Sequence, residues 1–158
     1  MQKNTTHGPI PTLLAEYEKA ILEFCRYLDQ QKEIYFQKEI KDNKRFDSIQ
    51  NILTHIVGSG YIYANYIRLR FDNPTIPASF VIIDFKKTTE ALQKMFDYTK
   101  ETFSNKAHLT DEDLMQTIIK TSWTTYDLEA LLEHAIMHIL RHRTQIQNVV
   151  NKFETENE

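Results

Sequence analysis

The sequence predicts an all-α fold, a four-helix bundle. Three observations carry that expectation. Four long stretches repeat apolar residues at three- and four-residue spacing, the signature of helices with one buried face. Only three Gly and four Pro interrupt a chain of 158 residues. No series of alternating strands and no repeat of fixed period competes with that reading. The length fits one domain, 1–158, with residues 1–10 as a flexible tail.

The first helix is expected over residues 12–30, where Leu14, Tyr17, Ala20, Ile21, Phe24, Cys25 and Leu28 share a face and Thr12 with Glu16 marks the start. His7 lies in the polar lead-in and reads as solvated. Residues 31–46 are charged and irregular, a connection with one extra helical turn, since KDNK is a poor helix interior. The second helix spans 48–70, with Asp47 and Gln50 at capping-box spacing and Ile49, Ile52, Leu53, Ile56, Tyr63 and Ile67 on one side. Gly58 and Gly60 interrupt it at about 1 kcal/mol each relative to Ala. Tight helix packing is the leading explanation, ahead of room left for a metal or substrate.

Pro74 and Pro77 mark a loop over 72–81. The third helix is expected over 82–104, with Phe85, Leu92, Met95, Phe96 and Tyr98 among its apolar residues. In 105–125, Thr110 caps a short turn, and MQTIIKTSW is β-prone, an extended loop or a short hairpin. His108 is expected in an exposed loop, and Trp123 over one end of the core. The two long connections, 31–46 and 105–125, permit an order other than simple up-and-down.

The last helix, 126–153, organises the chain. Leu128, Leu131, Leu132, Ala135, Ile136, Ile139, Ile146, Val149, Val150 and Phe153 form its stripe, and Asp127 caps it. It also carries His134, His138 and His142, each about one turn after the last. On a helical wheel His142 falls roughly 40° from the stripe's centre, His138 roughly 80°, and His134 about 120°. His138 and His142 therefore point inward, whereas His134 faces outward or toward a neighbouring helix. Two imidazoles one turn apart can grip one metal ion. A site needs ligands from more than one element, and His55 in the second helix is the candidate third. Three neutral imidazoles leave a fourth position for water or a small thiol, whose pKa a metal lowers. Imidazole suits a divalent ion, Zn or Ni foremost, with Fe, Mn or Cu as the other members of the set. Gln145, Ser59, Tyr63 and Glu133 are candidates to orient the rings. The competing explanation is that these are ordinary core histidines.

Other chemistries are excluded. The residues after His134 and His138 are Ala135 and Ile139, so H-E-x-x-H is absent, and Glu-x-x-His is missing from the last helix. No C-x-x-C, glycine-rich phosphate loop or G-x-S-x-G elbow occurs. A net charge of −3 with no basic block gives no reason to expect nucleic acid. No apolar run approaches bilayer length, and MQKNTTHGPIP has no signal-peptide h-region. The lone Cys25 sits among apolar residues as an inert thiol, as expected of a reducing cytosol.

The stretch SIQNILTHIVGSGYIYANYIR around His55, with LLEHAIMHILRHRTQI, resembles the DinB/YfiT-like superfamily. The family's last-helix pattern, H-x-x-x-H-x-x-Q, matches His138, His142 and Gln145, and its helix-two histidine matches His55. Thr144 stands where many members carry Gly, and His134 is an additional histidine with no ligand role implied. The resemblance implies a four-helix bundle holding a divalent metal on these three histidines, in a cytoplasmic and often dimeric protein. It also implies a metal-dependent hydrolase or a small-thiol S-transferase acting on a small molecule, with a low-molecular-weight thiol as partner. The alternative is a non-enzymatic bundle, structural or stress-related, working as a dimer.

Overall fold

The computed structural model describes residues 7–156. Four long helices form the bundle: α1 (Pro9–Leu28), α2 (Ile49–Arg70), α3 (Phe85–Glu101) and α5 (Leu128–Thr155). A short helix α4 (Asp111–Gln116) and an antiparallel hairpin of β1 (Ile118–Lys120) and β2 (Thr125–Asp127) lie before α5. The hairpin is one of the two forms expected for MQTIIKTSW.

Around the bundle α1 packs on α3, α3 on α2, α2 on α5, and α5 back on α1. Helices α1 and α2 are therefore diagonal, as are α3 and α5, and each diagonal is crossed by one of the two long connections. Tyr17, Phe24, Ile52, Leu53, Ile56, Leu92, Phe96, Leu131 and Ile139 fill the centre. The rings of Tyr17 and Phe96 meet edge to face, 5.6 Å apart.

Several boundaries differ from expectation for local reasons. Helix α1 begins at Pro9, because proline's fixed φ suits the first helical position and its missing N–H costs nothing there. Ile10, expected in the tail, is buried at 1% exposure and anchors the helix. Expected tail residues 1–6 lie outside the described residues. The cap of α2 is Ser48, whose hydroxyl accepts from the Asn51 amide, while Asp47 takes the Asn51 side chain instead. Helix α3 starts at Phe85 after its cap Asp84, which accepts from Lys87 N at 2.6 Å. Ile82 and Ile83 precede it as extended chain. The caps expected at Thr110 and Asp127 are both present, the first as a full capping box with Asp113.

The 29–48 connection is more tightly anchored than its charge suggests. Tyr35, Phe36 and Phe46 are buried, Tyr35 against Phe153 and Phe36 against Phe85. Gln50 N donates to Phe36 O at 2.9 Å and Ile40 N to Asp47 O at 2.7 Å.

The two glycines of α2 separate on inspection. A Cβ at Gly60 would lie 2.5 Å from Sδ and 2.9 Å from Cγ of the fully buried Met95 on α3, so any larger residue forces that packed side chain to shift. At Gly58 the nearest atom would be Ala78 O at 3.4 Å, a tolerable contact. Packing is thus the reason for Gly60. Gly60→Ala is expected to lose about 1–3 kcal/mol to overpacking, net of helix propensity, whereas Gly58→Ala should change stability by less than about 1 kcal/mol. Urea denaturation of both variants checks the contrast.

Candidate metal centre

The α2–α5 seam places His55 opposite His138 and His142. His138 and His142 are buried at 4% and 3% exposure, and His55 is half-buried. The ring centroids stand 4.9 Å apart for His55–His138, 5.0 Å for His55–His142 and 4.4 Å for His138–His142. One nitrogen from each ring lies within 4.8 Å of those from the other two. The structure thus brings together the three histidines singled out in the sequence.

An outer hydrogen bond fixes the His142 ring most firmly. His142 Nδ1 donates to Gln145 Oε1 at 2.7 Å, which leaves Nε2 as the unprotonated nitrogen, with Arg141 Nη2 3.5 Å from it. Ser59 Oγ lies 3.4 Å from His55 Nδ1, a long contact on the same outer nitrogen. His55 Nε2 and His138 Nε2 face each other at 3.1 Å. His138 Nδ1 is buried without a hydrogen-bond partner among the described residues, so that ring is held by packing and by its Nε2 contact with His55. Phe46 closes one side, 5.2 Å from the His55 ring and 6.0 Å from that of His142.

The electrostatics favour neutral imidazoles. Burial pushes His138 down to about 3, helped by His142, His55 and Arg141. Burial also pushes His55 down to about 4, with His142, Arg45 and Arg141 adding to it. His142 is lowered chiefly by burial, against the opposing pull of Gln145. Neutral imidazole is the form that ligates metal. Two unprotonated nitrogens at 3.1 Å repel, and only a shared proton or a cation among them relieves that. Ligands about 2.0–2.1 Å from a tetrahedral ion sit roughly 3.3 Å apart, so the spacing of this pair fits a metal.

An open cleft of about 260 Å³ reaches the centre, lined by His55, His138, Ser59, Ile62, Tyr63, His134, Trp123, Arg45 and Arg141. Tyr63 does not orient a ligand ring by hydrogen bond. Its hydroxyl pairs with His134 Nε2 at 3.2 Å, and its ring packs edge-on to His138. His134 accordingly faces α2, one of the two orientations expected. Glu133 is exposed. Trp123 covers no end of the core: it is 48% exposed and stands at the cleft mouth against Tyr63, Tyr66 and Tyr126. The hairpin turn that carries it could not be placed from sequence. Arg45 and Arg141 were also missed, because a lone arginine in a charged stretch reads as solvated. His108 is exposed, as expected.

A four-helix bundle with three convergent imidazoles at the foot of a cleft defines a class of helical protein able to hold a metal ion. The DinB family profile matches residues 1–152, and the chain belongs to that family. Among solved structures, a DinB-like protein, YjoA of Bacillus subtilis, superposes with a TM-score of 0.60 at 16% identity, over 90% of this chain and 92% of that one, which supports the fold. No curated protein matches the sequence.

Proposed function

We propose that the protein is a divalent-metal-dependent enzyme of hydrolase or small-thiol S-transferase type, with His55, His138 and His142 as the ligands. The observation that carries this reading is the open cleft: it reaches two of the three imidazoles and leaves a face of the centre accessible to a small molecule. A purely structural metal site is closed. Because His55, His138 and His142 are neutral donors, they would hold a divalent ion at its full charge, and that ion would supply Lewis-acid activation of water or a small thiol.

The chain's own residues prepare that chemistry. Burial withholds protons from the rings, and Gln145 fixes His142 with Nε2 inward. The Tyr63–His134 pair and Trp123 wall the cleft, and a substrate bound there is partly shielded from water. Zn or Ni is the expected ion, with a low-molecular-weight thiol as the expected co-substrate, in a cytoplasmic homodimer. Cys25 takes no part: it is buried, and burial pushes its thiol up to about 11.

Metal analysis of the purified protein, followed by thiol-dependent loss of a chloro- or epoxide compound and by ester hydrolysis, tests the reading. Stoichiometric metal with thiol-dependent turnover is expected, and a metal-loaded protein inert to both assays would refute catalysis. Gln145→Leu, which frees the His142 ring, should weaken metal affinity about 10–100-fold in a chelator competition.

A further inference from the structure

We infer that Arg45 and Arg141 form an anion-binding rim on the histidine cleft, and that the substrate it takes is a small carboxylate or phosphate. Arg45 comes from the connection before α2 and Arg141 from α5, yet both line the same cleft. Both are exposed. Neither belongs to an ion pair among the described residues, although six other basic side chains do. Among the described residues no Asp or Glu lines the cleft, in a chain whose acidic residues outnumber its Lys and Arg, 22 to 19. Two uncompensated cations have thus been gathered at one concave place on an acidic protein.

Their placement is also held. Arg45 N donates to Asn43 Oδ1 at 2.9 Å, fixing the backbone there, and its guanidinium rests on the Phe46 ring, 5.1 Å from the centroid. Arg141 Nη2 lies 3.5 Å from His142 Nε2, so it borders the centre itself. Each planar guanidinium offers a fork of N–H donors that matches two oxygens of a carboxylate or phosphate. An anion gripped by both would lie in the cleft that His55 and His138 also line.

This inference rests on the proposed function in taking the cleft as the substrate site, but its test separates the two. Trp123 is the single tryptophan and lines the cleft, so its fluorescence reports binding there. Full-length protein, chelator-treated and then zinc-loaded, is titrated with succinate, with inorganic phosphate and with neutral succinamide. Saturable quenching by succinate or phosphate and none by succinamide is expected in both forms. Whichever of the two anions binds more tightly identifies the source of the charge. Arg45→Gln and Arg141→Gln should each weaken it about ten-fold, and the double variant should lose it. Melting curves of these surface variants should match the wild type. Arginine-dependent binding in a protein that takes up no metal would sink the metal reading and leave this one standing. Equal binding by the double variant, binding confined to the zinc form and indifferent to both arginines, or no anion binding in either form would overturn it.

Discussion

His138→Ala is expected to abolish stoichiometric metal binding and, with it, any thiol-transfer or hydrolytic activity. His138 is one corner of a nearly equilateral triangle of rings, 4.9 Å from His55 and 4.4 Å from His142 by centroids, with His55 and His142 5.0 Å apart. A full structural zinc site is worth about 10–16 kcal/mol, so one ligand in such a set is worth about 3 kcal/mol or more, over 100-fold in affinity. Stability supplies a second readout. A ligand present at 100 times its Kd adds about 2.7 kcal/mol, which raises Tm by roughly 5–10 °C for a domain of this size. Zinc should raise the melting temperature of the wild type by that amount and leave His138→Ala unmoved. The metal-free variant should itself melt below the metal-free wild type, because removing the buried His138 ring leaves a cavity and ends its contact with His55, so each zinc-induced shift is read against the same protein without metal. Equal zinc-induced shifts in the two proteins would refute its role as a ligand.

The second large effect is on acid stability without metal. The folded-state values of His55 and His138, about 4 and about 3, lie below the ordinary 6.5. The unfolded chain therefore takes up protons first, and stability is fully present above pH 6.5 and falls as pH drops toward the folded values. By pH 5 the buried His138 ring accounts for a loss of about 2 kcal/mol, and the half-buried His55 adds a smaller share because solvent screens it, before carboxylates begin to titrate. His142 and His134 shift in the same direction, burial being the chief cause for each, and the charges of Arg45 and Arg141 reinforce it at His142. Urea melts of chelated protein at pH 7.5, 6 and 5 should show the fall, and His55→Gln should make it smaller while His138 keeps its share. Constant stability from pH 7.5 to 5 would contradict the burial of neutral rings.

Much of this arrangement was legible in the sequence. The apolar stripe of α5 set both the helix and the inward aim of His138 and His142, because a long regular helix turns spacing into direction. His55 was legible only as a partner, since a lone histidine beside an apolar face carries no tertiary information. Burial in irregular chain stayed hidden. Tyr35, Phe36 and Phe46 have no period to mark them, and Phe46 proves to wall the centre. Ile82 and Ile83 imitate the start of a helix that Asp84 in fact begins. The hairpin was expected in outline, but where its turn sets Trp123 depends on contacts with Tyr66 and Tyr126 that no local pattern encodes.

The cleft draws its walls from α2, α5, the hairpin and the connection before α2, and nothing from α1 or α3. The molecule is thus half instrument and half mount. Substitutions along α1 and α3 should register in how much protein survives heating and leave turnover per surviving molecule alone. Evolution can therefore redraw the inner faces of those two helices widely while the chemistry next door stays the same.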